Sequence, residues 1–542
     1  MEAKENEIPI VVLDLPTGAG KSFIAMGVSA LLNDEGESGY ILASDLGLLG
    51  QYSEDFEKFS PDFRAIRGVD NYSCDINGLK FSLGDCKSRN YSYQQMSELS
   101  CYNTCGYHSA RNQAIESMTT LMTYQYWLLQ RNYVGKKLFG KEKFGQRDFV
   151  IFDECHRIPD IVQNHFSPII SEKIFQEAKK VQEFASRFKF KHIPEKMRYK
   201  PSVDWLKLTD GIGKLMDERG GITLPMEMVF SETRKLEAFG KALKSEVGMA
   251  YPSEAKLPPE ILAVASSLDF LKDVNCKMED SMEIQELVPR SGIKDCRENS
   301  ANIYITAENF LVYRTLTSKA GFKVFMSATT GGFQRFMRSI GASKVQATYI
   351  TMPSNFKFNN SEIYYGTGIR MKHGQSFEPL VKILDAVMER HGNQRGIVHT
   401  ASYSQAEEIL RYSKHKDRFL VYRGTSEKEI ALRDHMENTN SVLLGPSMIE
   451  GVNLTDDLAR FQVVAKCPYP SLGNKLVNAK FQKDKGWYRG VTSVAVQQSL
   501  GRAIRHPEDE AKSYILDDAV LDVIGDWPPH LTKRMRKFGK PQ

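Results

Sequence analysis

Two segments of the 542-residue sequence combine residue types that can bind and hydrolyse a nucleotide. The first, PTGAGKS, follows an apolar run and precedes a stretch that favours a helix, which is the setting of a phosphate-binding loop. Its glycines would let backbone N–H groups surround phosphate oxygens, its lysine would reach the β- and γ-phosphates, and its serine would bind Mg²⁺. Leu15 stands where the usual pattern begins with glycine, so the match is partial. The candidate residues of this loop are Thr17, Gly18, Ala19, Gly20, Lys21 and Ser22.

The second segment, DFVIFDECH, predicts a buried strand that ends at two carboxylates. Asp153 would hold Mg²⁺, mostly through water, and Glu154 would polarise the attacking water as a general base. His156 would link the nucleotide site to neighbouring motifs. The alternative is a strand end with solvated carboxylates, which is less favoured because the same sequence also contains a phosphate-binding loop.

Four of the eight cysteines, Cys74, Cys86, Cys101 and Cys105, fall within 32 residues at the spacing C-x11-C-x14-C-x3-C. Four thiolates suit either tetrahedral Zn²⁺ or a [4Fe–4S] cluster. A structural zinc site usually has two close cysteine pairs, and only Cys101 and Cys105 form such a pair here. The spacing therefore favours an iron–sulfur cluster and leaves zinc open.

The composition is that of an ordinary globular protein, with 41% hydrophobic and 26% charged residues. It excludes the collagen-like, disordered and disulfide-scaffold classes, and no apolar run approaches the ~20 residues that span a bilayer. The first residues, MEAKENEIPIVVLDLP, lack the basic region of a signal peptide, so we expect a cytoplasmic protein. The compact N-terminus and the absence of long tails suit an enzyme of a bacterium or of a virus-infected host cell. The net charge of +5 permits a nucleic-acid partner without arguing for one.

With PTGAGKS and DECH, the sequence resembles the superfamily-2 helicases, which write their second motif as D-E-x-H. FMSATT, GPSMIEGVNL and QQSLGRAIRH resemble later helicase motifs, so the similarity extends from residue 15 to residue 506. Together with the four-cysteine insertion, these motifs identify the chain as a member of the XPD/DinG family of iron–sulfur DNA helicases. The resemblance implies a [4Fe–4S] cluster on the four cysteines. The sequence departs from the family pattern at Asn453, where aspartate is common. The segment before Leu15 is also short, which leaves the base specificity open.

The resemblance also implies a set of residues that contact the nucleotide from a second domain. Gln498, Arg502 and Arg505 would reach across a cleft to the γ-phosphate, and Gly451 would belong to the same site. A planar guanidinium that is always charged suits the charge-spread transition state of phosphoryl transfer. The alternative is a helix that carries two arginines on one face.

The implied fold is α/β, with two RecA-like P-loop motor domains and two insertions in the first, an Fe–S cluster domain and a mostly helical arch. Stretches such as ISEKIFQEAKKVQEFASRF independently predict amphipathic helices in the arch, and strands alternate with helices after residue ~350. We predict the following bounds: motor domain 1 at 1–65, 109–160 and 301–348; the Fe–S domain at 66–108; the arch at 161–300; motor domain 2 at 349–542.

A basic stretch interleaved with aromatic residues, RFKFKHIPEKMRYK, suits single-stranded DNA. The hypothesis is that Arg187, Lys189 and Lys191 line the arch side of a strand channel; a solvated face is the alternative. By resemblance, further DNA contacts come from Thr123, Tyr124, Thr400 and Tyr403.

The sequence therefore predicts a monomeric ATP-dependent DNA helicase that uses ATP, Mg²⁺ and a [4Fe–4S] cluster. Its expected partners are single-stranded DNA and tailed duplexes, with no membrane. Movement from 5′ to 3′ is implied by the resemblance alone. Two alternatives stay open: a DNA-stimulated translocase without processive unwinding, and a redox-sensing DNA-binding ATPase switch.

Overall fold

The computed structural model describes residues 1–16, 18–57, 62–88, 93–130, 144–165, 169–195, 198–200, 226–251, 257–287, 292–297, 300–305, 320–353, 360–372, 374–422, 425–446, 454–504 and 508–538. The chain divides into two compact units, one formed by residues 1–25, 154–156 and 324–542, the other by residues 26–153 and 157–323. No helix within these described ranges is long and apolar enough to cross a membrane.

The described strands belong to three sheets. They are β1 Ile10–Asp14, β2 Gly39–Ala43, β3 Phe63–Ala65, β4 Thr119–Thr123, β5 Arg147–Phe152, β6 Ile169–Ser171, β7 Gly292–Arg297, β8 Ser300–Ile305, β9 Ala320–Ser327, β10 Ala347–Thr351, β11 Ile363–Tyr365, β12 Gly396–His399, β13 Phe419–Val421, β14 Val442–Gly445, β15 Phe461–Val464, β16 Lys512–Ile515 and β17 Met535–Lys537.

The described α-helices alternate with these strands or lie between them in the chain. They are α1 Glu2–Glu5, α2 Lys21–Asp34, α3 Leu46–Glu57, α4 Asp85–Ser88, α5 Tyr93–Ser97, α6 Gly106–Glu116, α7 Tyr124–Leu129, α8 Ile158–His165, α9 Glu172–Arg187, α10 Met226–Ala250, α11 Pro259–Leu287, α12 Phe333–Ser339, α13 Glu378–His391, α14 Tyr403–Tyr412, α15 Thr425–Glu437, α16 Lys475–Lys483, α17 Lys485–Leu500 and α18 Pro529–Thr532.

The first two sheets each have seven strands. The first runs β10-β1-β9-β5-β2-β4-β3 and the second β13-β14-β12-β15-β16-β11-β17. Every neighbouring pair of the second sheet is parallel. Strands β1, β2, β4, β12, β14 and β15 are buried along their whole length, as expected of parallel strands covered on both faces. The predicted α/β class with two parallel RecA-like sheets is therefore confirmed.

The described chain between β5 and β9 is mostly helical. Helices α9, α10 and α11 share one apolar core, to which Val181, Phe239 and Leu268 contribute side chains. The segment also contains a small antiparallel sheet, β6-β8-β7, which the sequence analysis did not predict. Its strand β6 pairs with residues 300–302, about 130 positions away, so no local pattern could reveal the pairing.

Candidate functional site

The phosphate-binding loop leaves the end of β1. The Leu15 N–H donates to the Ser327 carbonyl over 2.9 Å, which fixes the start of the loop beside the SATT segment. Gly18 and Gly20 have φ angles of 80° and 73°, which glycine adopts without strain. Helix α2 begins at Lys21, so its N-terminal N–H groups and dipole lie at the end of the loop, where they favour a phosphate.

Glu154 lies next to the loop in a strained turn. Its φ of 48° is left-handed, which costs a non-glycine residue about 1–3 kcal/mol. The Lys21 Nζ is 3.7 Å from one carboxylate oxygen and the His156 Nδ1 is 3.3 Å from the other. Burial acts to raise the pKa of Glu154, but Lys21, His156 and the charge of Arg502 together hold it well below its ordinary value. Glu154 is therefore ionised at neutral pH.

His156 connects this carboxylate to two further motifs. Its Nδ1 is 2.9 Å from the Ser327 hydroxyl, which also donates to Glu154 over 3.4 Å. Its Nε2 contacts the Gln498 amide nitrogen of α17. With that nitrogen as the donor, the ring proton lies on Nδ1, facing Ser327 and Glu154. Lys21, Glu154, His156 and Gln498, all predicted from sequence, are thus brought together.

Asp153, the predicted Mg²⁺ ligand, is 2% exposed at the end of β5. The Tyr52 hydroxyl donates to its carboxylate over 2.7 Å. This bond fixes the direction of the carboxylate. Ser22, the other predicted ligand, is the second residue of α2 and is half-buried.

Sequence reasoning missed a buried carboxylate behind the loop. Asp14 ends β1 and accepts hydrogen bonds from the Thr330 hydroxyl at 2.5 Å and the Tyr349 hydroxyl at 2.8 Å. Burial raises the pKa of Asp14, while these two bonds and the charge of Lys21 oppose the rise. The network joins β1, the SATT segment and β10. The sequence did contain a signal for Asp14, because a carboxylate stands there at the end of an apolar run.

Sequence reasoning also passed over His399, the last residue of β12. The side chain is fully enclosed, and within the described part of the chain neither ring nitrogen has a hydrogen-bond partner. Burial, helped by the charge of Arg502, lowers the pKa of His399 to about 3, so the ring is neutral at physiological pH. Arg502 therefore acts electrostatically on both Glu154 and His399.

The cysteine segment places Cys74, Cys86 and Cys105 in buried positions, whereas Cys101 is half-buried. Burial raises the pKa of the Cys86 thiol to about 12, and the other three cysteines add to that rise, so the four lie close enough to interact. A Cβ on Gly84 would come within 3.3 Å of the Cys74 sulfur. Among the described residues, no three His, Cys, Asp or Glu side chains are arranged to hold a single metal ion.

The predicted DNA contacts in the motor domains differ in accessibility. Tyr124 is 1% exposed, and its hydroxyl donates to the Asp153 carbonyl over 2.8 Å. These contacts indicate a structural role. Thr123 caps α7 with its side chain, and Thr400 is 5% exposed. Tyr403 is 39% exposed and could meet a ligand. A role at DNA stays a prediction for all four.

The basic stretch of the predicted arch presents its cations to solvent. Arg187, Lys189 and Lys191 are exposed. The Glu246 carboxylate accepts the N–H of Lys191 at 2.7 Å and that of the next residue at 2.6 Å, which fixes the chain on α10. Phe190 is 8% exposed and packs in the helical core, so it cannot stack on a base.

Three predicted site residues, Thr17, Gly451 and Arg505, lie outside the described residues. Gly20 has the positive φ angle given above. Ala19 lies between the two glycines of the loop, and its N–H donates to the Pro16 carbonyl.

Two family profiles match separate parts of the chain. Residues 384–537 match the family described as the helicase C-terminal domain. Residues 2–188 match the family described as the res subunit of type III restriction enzymes. The first range contains Gln498 and Arg502, and the second contains Lys21 and Glu154.

Curated relatives match over different lengths. YoaA of Haemophilus influenzae, an ATP-dependent DNA helicase, is 20% identical over 445 residues, which is 78% of this chain and 67% of YoaA. CHL1 of Eremothecium gossypii, also an ATP-dependent DNA helicase, is 27% identical over 138 residues, which is 20% of this chain and 17% of CHL1. The CHL1 of Candida albicans is 33% identical over 94 residues, which is 11% of that CHL1. The alignments thus span much less than two thirds of the CHL1 proteins.

Solved structures establish the fold. The structure of S. tokodaii Xpd4 superimposes with a TM-score of 0.62 at 16% identity, covering 99% of this chain and 97% of that one. An XPD helicase structure gives a TM-score of 0.64 at the same identity and coverage. The described chain therefore has the XPD fold.

The buried imidazole of His399 predicts a pH effect on stability. Its pKa of about 3 lies below the ordinary 6.5, so between these values the unfolded state binds a proton that the folded state does not. Stability is therefore unaffected above pH 6.5 and falls as the pH decreases. At pH 5.5 the loss is about 1.4 kcal/mol. We expect His399→Gln to remove this component of the pH dependence, measured by urea unfolding at pH 7.5 and 5.5.

His192, which is exposed, provides the matched control, since His192→Gln removes an imidazole without a burial penalty. Identical pH profiles for the wild type and His399→Gln would show that folding does not lower the pKa of His399 and would overturn this prediction.

Proposed function

Because the chain belongs to the XPD/DinG family of superfamily-2 helicases, we propose that it is an ATP-dependent DNA helicase. It would couple hydrolysis to movement on single-stranded DNA and to duplex unwinding. The observation that carries this proposal is the cluster of Lys21, Glu154, His156 and Gln498, because it joins a phosphate-binding loop to a general base and to the helix of a second sheet.

Nucleotide binding would redistribute the charge of this cluster. Lys21 lies 3.7 Å from Glu154 and would turn to the β- and γ-phosphates of ATP. A carboxylate that loses its cation becomes more basic, because its anionic form is less stabilised. Glu154 would thus be a weak base in the free protein and a better one beside ATP, where it can polarise the attacking water.

The second sheet would complete the site. Ser22 and Asp153 would hold Mg²⁺, which neutralises phosphate charge when bound. Arg502, already close enough to lower the pKa of Glu154, would stabilise the γ-phosphoryl group together with Arg505. Gln498 contacts His156, so a movement of α17 on hydrolysis would reach the DECH turn directly.

The function is tested by strand displacement with anaerobically purified protein on duplexes that carry a 5′ or a 3′ single-stranded tail. We expect ATP-dependent displacement of the 5′-tailed duplex alone, in line with the family. Glu154→Gln preserves the shape of the side chain and removes its charge, so ATP hydrolysis should fall about 10²-fold or more while ATP binding persists.

Each other result has a distinct meaning. Displacement from a 3′ tail would retain the helicase and reject the polarity. DNA-stimulated hydrolysis without displacement would favour a translocase, and DNA affinity that changes with nucleotide but without displacement would favour a switch. A Glu154→Gln protein with full hydrolysis would reject the catalytic assignment.

The four cysteines would hold a [4Fe–4S] cluster. Three of them are buried, the four interact electrostatically, and Gly84 leaves room beside the Cys74 sulfur. The cluster would staple a segment with little core of its own.

We expect about four iron atoms and four acid-labile sulfides per chain after anaerobic purification. Cys101→Ser should lose most of this iron. Cys467→Ser provides the control, since Cys467 is buried beside the second sheet and should not affect iron content. Zinc without iron in the wild-type protein would overturn the cluster.

The exposed cations of the proposed arch, Arg187, Lys189 and Lys191, would contact the DNA backbone. Reversing the charge of Arg187, Lys189 and Lys191 together should lower single-stranded DNA affinity by about tenfold or more. It should also flatten the dependence of log K on log salt by about 0.7 for each lost phosphate contact. The same reversal at Lys382, Lys414 and Lys416, which are exposed and lie in the unit that contains residues 324–542, is the matched control. Equal losses in both triple variants would indicate a general charge effect and reject the channel.

A further inference from the structure

A small cavity lies beside the SATT segment and is separate from the Lys21–Glu154 cluster. Its volume is about 30 Å³, which is room for about two water molecules or a small ion. Pro16 and Thr329 line one side, the end of α17 with Gln497 lines another, and His530 and Arg534 close it from the C-terminal segment.

Arg534 brings an uncompensated positive charge to this cavity. The residue is 4% exposed, and its Nε donates to the Ser361 carbonyl over 2.7 Å. Its Nη2 is buried and has no hydrogen-bond partner in the described chain, and no described carboxylate forms an ion pair with it. Burial lowers its pKa to about 10, which leaves the group cationic at neutral pH. A buried cation without a counter-charge is unfavourable.

The other polar groups of the cavity also favour an anion. The Thr329 hydroxyl is buried without a hydrogen-bond partner among the described residues, so its proton is available. The Gln497 amide nitrogen uses one proton for Ser493 and has a second. Burial and the charge of Arg534 lower the pKa of His530 to about 4, so this ring is a neutral donor as well. The cavity therefore combines one buried cation with three side chains that can each donate a hydrogen bond.

We propose that this cavity binds a small inorganic anion of the size of chloride, held by the Arg534 guanidinium and the Thr329 hydroxyl. The anion would neutralise Arg534 and connect the segment around α18 to the SATT segment. Ser327 of that segment contacts Glu154, so the anion would also stabilise the geometry next to the candidate general base.

The first test is thermal unfolding of the full chain at constant ionic strength, with potassium gluconate replaced stepwise by potassium chloride. Constant ionic strength removes the general screening effect of salt. We expect a saturable rise of about 1–3 °C at about ten times the dissociation constant. Arg534→Gln should abolish the rise. Arg536→Gln, which removes an exposed arginine of β17, should retain it.

The second test uses the wild-type protein and does not depend on a variant that folds. Crystals grown in bromide should show an anomalous peak in the cavity within hydrogen-bond distance of Arg534. Water alone in the cavity, at a bromide concentration that saturates the thermal response, would overturn the proposal. An equal chloride response in Arg534→Gln and the wild type would overturn it too.

Discussion

The ion pair between Lys21 and Glu154 is the interaction on which the arrangement of the site depends. It joins the first residue of α2 to a turn that is strained at φ 48°. The attraction offsets both that strain and the cost of removing a carboxylate from water. His156 and Ser327 then bond to the same carboxylate. One charge therefore sets the position of residues from three motifs, and a phosphate that competes for Lys21 changes all of them.

The two parallel sheets explain why these residues meet. The loop begins where β1 ends, the DECH turn follows β5, Ser327 ends β9 and His399 ends β12. Strands β1, β5 and β9 belong to the first sheet, where parallel strands bring their carboxyl ends to one edge, and His399 lies at the carboxyl end of a strand of the second sheet. A ligand site there needs only short loops, so the sequence between strands can vary while the geometry is kept.

The sequence predicted the parts of the site that are marked by local patterns. Lys21 and Glu154 follow apolar runs and belong to motifs of several residues, so their roles could be assigned before any contact was known. Asp14 and His399 are single polar residues whose partners lie far away in the chain, and their burial decides their chemistry. Phe190 was expected to be available to DNA, but packing of α9 against α10 placed it in a core.

The cost of burying an ionisable group is met in different ways at Asp14, His399 and Arg534. Asp14 is satisfied by two hydroxyl donors, and His399 loses its charge instead. Arg534 can do neither, because a guanidinium does not lose its proton at neutral pH and its Nη2 meets no described acceptor. A neutral His399 also has a consequence for Arg502. A cationic imidazole there would repel Arg502, whereas the neutral ring leaves the field of Arg502 acting on Glu154, and hence on a phosphate bound beside it.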